Sequence, residues 1–147
     1  MKGKKKMKVY LYKEIHWEYS DILGVLSESA MLREKARLVE EAKKKRYEEM
    51  LQRELEISKL KEQRRALSVK DQNENVPIQQ ALKASGDKAA TKAFRKQRKA
   101  VLKEIDRLGS QIWHLEWENE KLRKYEGDEL IGRFFPKLAF YEYDVLE

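Results

Sequence analysis

Val101–Leu122 reads VLKEIDRLGSQIWHLEWENEKL, and its spacing decides the architecture. Val101, Ile105, Leu108, Ile112, Leu115, Asn119 and Leu122 recur alternately every four and three residues. That is the heptad period of a coiled-coil seam, with β-branched residues at one core position and Leu at the other. Asn119 takes the place of a β-branched residue, and a lone core Asn of this kind fixes register at some cost in stability. Gly109 lowers helix propensity by about 1 kcal/mol without defeating the pattern. The helix that carries this seam is predicted over 88–126.

Upstream, nothing breaks a helix from Glu28 to Ser68, a stretch with neither Gly nor Pro. Glu40–Lys44, Glu41–Lys45 and Glu49–Arg53 are i,i+4 pairs in the favourable order. About 40 residues at 1.5 Å each make a rod of roughly 60 Å. Its expected apolar stripe is Leu32, Ala36, Val39, Met50, Ile57, Leu60 and Leu67, interrupted by Lys43, Arg46, Arg53 and Arg64. Either this helix or a second copy of the seam helix can satisfy the seam. The interrupted stripe makes helix one the poorer mate and favours a homodimer. Between the helices, Asp71–Asn75, Pro77 and Ser85-Gly86-Asp87 are turn signals, so 69–87 is expected to be a loop, with a short helix over 78–84.

The two ends read as β structure. Lys8–Lys13 alternates and is rich in strand formers, and Ile22–Leu26 is a second apolar run. Ser27 is placed to cap helix one, with Glu28 at the positive end of its dipole. Leu138–Leu146 alternates, with Ala139, Tyr141, Tyr143 and Val145 on one face and Leu138 and Phe140 on the other. The expected fold is α+β and mostly α, with topology ββ–α–α–β. Residues 1–27 and 132–147 form a small three-stranded antiparallel sheet, 28–68 helix one, 69–87 the connecting loop, and 88–126 helix two.

Charge is uneven along the chain. Of 147 residues, 40% are charged and the net charge is +7. Residues 59–103 carry 13 Lys+Arg against 4 Asp+Glu, whereas 104–147 carry 6 against 11. An antiparallel hairpin gathers Arg64, Arg65, Lys88, Lys92, Arg95, Lys96, Arg98 and Lys99 at one end, where Lys70 and Lys83 join them. Such a cluster neutralises phosphates and gives salt-sensitive, sequence-independent affinity for nucleic acid. It also suits an acidic protein surface.

Catalytic chemistry is sparse. There is no cysteine, no phosphate loop and no metal box, so no catalytic residue, cofactor or metal is expected. His16 and His114 lie in different elements, with no ligand at metal spacing. Glu116, Glu118 and Glu120 diverge around a helix and read as a solvated acidic face. Trp113 and Trp117, four apart beside the seam, are expected in the core, with a partner-anchoring role as the alternative. No apolar run reaches the roughly 18 residues that span a bilayer, and Met1–Lys6 leads into no signal-peptide stretch. The expected setting is cytoplasmic.

Met7–Tyr12, Tyr19–Ser27 and Glu34-Lys35-Ala36, with the closing Phe140–Glu147, resemble small uncharacterised proteins of phages and prophages. In those, a β-hairpin ending in "GVFS" leads into an "EKA" helix and a tyrosine- and acid-rich strand closes the chain. The resemblance covers about 45 residues at the two ends, and the long helices between them stand as an insertion. It implies a non-enzymatic inhibitor or accessory factor, anti-CRISPR-like, that binds a host protein or nucleoprotein complex. It transfers no functional residues. The alternative is a structural RNA-binding component of a ribonucleoprotein. The basic run Lys92–Lys99 ahead of Leu108, Leu115 and Leu122 is also similar to a basic leucine zipper. Here Asp87-Lys88-Ala89-Ala90 departs from that family's Asn-x-x-Ala-Ala reading motif.

Overall fold

The computed structural model describes residues 6–146. The basic start Met1–Lys5 and the terminal Glu147 of the expected closing strand lie outside the described residues. The elements are β1 (Lys6–Ile15), β2 (Ser20–Ser27), α1 (Glu28–Lys70), a π-helical turn (Asp71–Asn75), α2 (Val76–Ser85), α3 (Lys88–Arg123), α4 (Gly127–Phe134) and β3 (Leu138–Leu146). The expected α+β, mostly α class is what the chain adopts. Two compact units divide it: residues up to 49 with those from 123 onward, and residues 50–122.

In the first unit the three strands form an antiparallel sheet of order β2-β1-β3. The closing strand therefore pairs with the first strand of the hairpin. Ser27 caps α1, its Oγ accepting from the Ala30 N–H at 3.2 Å. One sheet face carries Tyr12 and Phe140, whose rings stack 4.6 Å apart. The Tyr12 hydroxyl donates to Glu34 of α1, and Lys35 lies over the Phe140 ring. Burial, then the neighbouring Glu34 carboxylate, hold the Tyr12 phenol above its ordinary range. The core of this unit is Met31, Leu38 and Ala42 with Leu130 and Ile131 of α4.

Two expectations change here. The stripe placed on Leu32 and Ala36 is exposed, and α1 buries Met31, Leu38 and Ala42 instead. One residue is about 100° of rotation, so adjacent apolar pairs such as Met31-Leu32 and Leu38-Val39 offer two candidate faces. The second change is α4, which occupies part of the segment assigned to the sheet and ends α3 at Arg123 rather than at residue 126. Arg46 of α1 helps to terminate α3 by donating to the Tyr125 carbonyl at 2.8 Å. Lys35–Asp128 and Arg133–Glu49 tie α4 to α1.

The second unit is a helical hairpin. Cross-helix partners run antiparallel: Met50 and Arg53 with Asn119, Arg53 with Glu118, Lys61 with Glu116, Arg64 with Gly109 and Asp71 with Arg98. Of the loop expected over 69–87, the short helix at 78–84 forms within α2 and the break after Ser85 stands, but the rest is helical. The chain stays helical to Ser85, and only Gly86-Asp87 separates α2 from α3. Pro77 cannot donate an N–H and crowds the carbonyl four residues before it. The π-turn relieves this by widening the helix, with the Val76 N–H reaching back five residues to the Asp71 carbonyl. Gly86 then closes α2 in the left-handed conformation (φ 74°), where glycine has no Cβ penalty.

The heptad seam is buried by its own chain. Leu108, Ile112, Asn119 and Leu122 are buried, and Val101, Ile105 and Leu115 are half-buried. Asn119 donates to the Met50 carbonyl at 3.2 Å and accepts from Arg53 at 3.4 Å, so its register-fixing role is played within one hairpin. A homodimer or DNA-reading zipper built on this seam would have to open that packing first.

The two faces of α1 can be told apart by truncation. Leu38→Ala on the buried face should cost about 2–5 kcal/mol. Leu32→Ala on the exposed face should stay within about 0.5 kcal/mol. Chemical denaturation followed by circular dichroism measures both, and equal losses would contradict the face assigned here.

Candidate functional site

The eight cations singled out from the sequence separate into groups. Lys88, Lys92 and Arg95 share one stripe of α3 at i, i+4 and i+7 spacing, and with Lys83 of α2, Gly86 and Thr91 they line a cleft of about 560 Å³. Arg64 and Arg65 line a second cleft of about 320 Å³ with Lys61, Ser68, Val69 and Ile105. Lys96 and Lys99 are exposed on α3 and line neither. Among the described residues none of Lys83, Lys88, Lys92 and Arg95 is paired with a carboxylate. The nearest acid in sequence, Asp87, is occupied as the cap of α3, its Oδ1 accepting from the Ala90 N–H at 3.0 Å.

Arg98 does not belong with the free cations. Its Nε and Nη2 donate to the two Asp71 carboxylate oxygens at 2.9 and 2.7 Å, and Nη1 donates to Gln79 at 2.7 Å. Asp71 is 3% exposed and also accepts from Asn75. Hydrogen bonding from Arg98 holds the Asp71 carboxyl below its ordinary range against the opposing effect of burial. The residue is a brace between the π-turn and α3.

Gly109 explains itself at the other cleft. A Cβ there would meet the Arg64 guanidinium at 3.2–3.3 Å, so the bare backbone lets the Arg64 side chain cross α3.

Other expectations are corrected by side-chain placement. Trp113 and Trp117 are 59% and 51% exposed rather than in the core. Their rings stack 6.5 Å apart on the outer side of α3, with Lys121 over Trp117. The acidic face is cross-linked rather than merely solvated, since Glu116 and Glu118 pair with Lys61 and Arg53. His114 is exposed against Trp113. His16, read as lacking ligands at metal spacing, lies instead between Glu14 and Asp21, 3.0 and 3.3 Å from their carboxylate oxygens. The hairpin turn, not sequence adjacency, brings those three together.

No protein-family model, curated protein or solved structure matches the chain. The site must be read from its own chemistry. A basic cleft beside a helix start attracts phosphate or carboxylate oxygens, and the positive end of the α3 dipole adds to that field.

A further feature lies on the first unit's sheet. Residues paired across strands share a face, and the face opposite Tyr12 and Phe140 carries Met7, Ile22, Val25, Tyr141, Tyr143 and Val145, all exposed. No described element covers it.

Two stability measurements check these assignments. Asp71→Asn should cost about 1.5–3 kcal/mol. Because the folded carboxyl is depressed, the wild-type advantage should be complete above about pH 4 and vanish as pH falls through the folded value; an advantage that persists at the lowest pH would contradict the ion pair. Gly109→Ala gains up to about 1 kcal/mol of helix propensity, and the exposed Arg64 side chain can swing aside. A net rise in melting temperature is expected, and a fall would show that the Arg64 crossing is rigid.

Proposed function

We propose that this chain is a non-enzymatic binding protein whose basic cleft seats the sugar-phosphate backbone of a nucleic acid within a nucleoprotein target. Its role fits that of a phage-type inhibitor or accessory factor, anti-CRISPR-like, acting in the host cytoplasm. The observation that carries the reading is the grouping of Lys83, Lys88, Lys92 and Arg95 around one cleft without a carboxylate partner. Elsewhere on the hairpin, Arg53, Lys61 and Arg98 are engaged by Glu118, Glu116 and Asp71. Cations left unpaired and concentrated are the ones able to displace counterions from a polyanion. The stacked, exposed Trp113 and Trp117 offer base-stacking area on the same helix. A structural role in a ribonucleoprotein uses the same cleft.

The reading is tested by fluorescence anisotropy of labelled single-stranded RNA and duplex DNA across a salt series. Engagement of four phosphates predicts a log–log salt slope of roughly −3 to −4. The K88E/K92E/R95E variant should abolish binding while circular dichroism stays native. Arg98 is left unaltered, because a carboxylate there would face Asp71. Unchanged affinity in the triple variant removes the cleft from the function.

The uncovered apolar sheet face favours a second reading, in which a protein partner docks there. Exposed apolar patches of this kind mark interaction surfaces. Val25→Glu with Tyr143→Glu should then abolish capture of a host protein that survives nuclease treatment.

A further inference from the structure

We infer that the β1–β2 turn is a binding site for a divalent transition-metal ion of the zinc class, held by Glu14, His16 and Asp21. One ligand atom from each lies within 4.8 Å of the others. His16 Nε2 is 3.0 Å from Glu14 Oε1 and 3.3 Å from Asp21 Oδ2. Ligands at 2.0–2.1 Å from a tetrahedral zinc are about 3.3 Å from one another, so both separations from His16 Nε2 suit a shared ion, and the two carboxylates, already on neighbouring strands, would close on it by side-chain rotation.

The state of His16 Nε2 is the second observation. That atom is buried and faces two carboxylates at close range, yet meets neither with hydrogen-bond geometry. A buried nitrogen between two carboxylates without a well-aligned hydrogen bond calls for a cause. A metal ion supplies one, because it takes the lone pair directly and neutralises both carboxylates. The ring is held for that role. It stacks on Tyr19 at 4.6 Å, and the His16 backbone N–H donates to the Tyr19 carbonyl at 2.8 Å. The register Glu14↔Asp21 places the two carboxylates across the strand pair from each other.

The donor set selects the ion. One imidazole with two carboxylates is the mixed N/O chemistry of zinc and its first-row neighbours, whereas magnesium and calcium prefer oxygen alone. Three protein ligands leave the fourth position to water. The ion would close the turn and fix the segment from Glu14 to Asp21, which presents the fully exposed Trp17.

The test is isothermal titration of the tag-free full-length chain with zinc chloride, with magnesium chloride as the comparison. One equivalent of zinc should bind, and His16→Ala and Glu14→Gln should each weaken it at least about tenfold. His114→Ala should leave it unchanged, and circular dichroism of each variant shows that the fold is kept. Amide chemical-shift changes on adding zinc should centre on residues 14–21, a readout that does not depend on any variant folding. No saturable zinc binding, equal binding of magnesium, shifts centred elsewhere, or undiminished affinity in folded His16→Ala would each overturn the assignment.

Discussion

The buried pair of Arg98 and Asp71 is the interaction on which the hairpin depends. A carboxylate removed from water is stable only with its cation and its hydrogen bonds in place. Here the planar guanidinium supplies two parallel bonds and reaches Gln79 with a third. That fork fastens the π-turn to α3, and the π-turn is what carries the helix past Pro77. The helical run therefore extends to Ser85, and Lys83 arrives beside Lys88, Lys92 and Arg95. A basic cleft at the hairpin turn is thus the downstream product of one acid in the middle of a helix. A lysine in place of Arg98 would keep the charge and lose the fork.

The rest of the hairpin grades its charges. Towards the open end, Glu118 and Glu116 answer Arg53 and Lys61 across the helices. Around the cleft, Lys83, Lys88, Lys92 and Arg95 have no such answer among the described residues. The positive field is accordingly a property of position, because the same residue types are neutral cross-links in one place and unpaired in another. Arg64 shows the intermediate case, laid across Gly109 without a carboxylate.

Much of the fold was legible where a local period governs. The heptad of 101–122, the Ser27 cap and the alternation of β3 were each read from spacing; the last two are used as read, while the heptad seam packs within its own hairpin rather than against the second copy it favoured. The start of the 69–87 segment was misread, although its short helix over 78–84 and its break at Gly86 are present, because Asp71 and Asn75 are turn formers in isolation. The Asp71 carboxylate instead accepts from Arg98, 27 residues on, and from the Asn75 side chain, which no local rule sees. The face of α1 was missed for a different reason: adjacent apolar residues left two faces open, and tertiary packing chose. For Trp113 and Trp117 the signal was available, since both occupy outward heptad positions rather than the seam they adjoin. At the candidate site, Lys88, Lys92 and Arg95 were legible as members of one basic cluster, but their separation from Arg98 was not. The Glu14, His16 and Asp21 cluster needed the strand register before it could be seen.

All three tryptophans of the chain, Trp17, Trp113 and Trp117, are at the surface. Intrinsic fluorescence of the native protein should therefore already emit at the long wavelengths of water-exposed indole and yield readily to soluble quenchers. Unfolding will change that emission little, so it is a poor reporter of the core. It is correspondingly a sensitive reporter of whatever covers these rings, and a blue shift on adding a ligand speaks of contact rather than of folding.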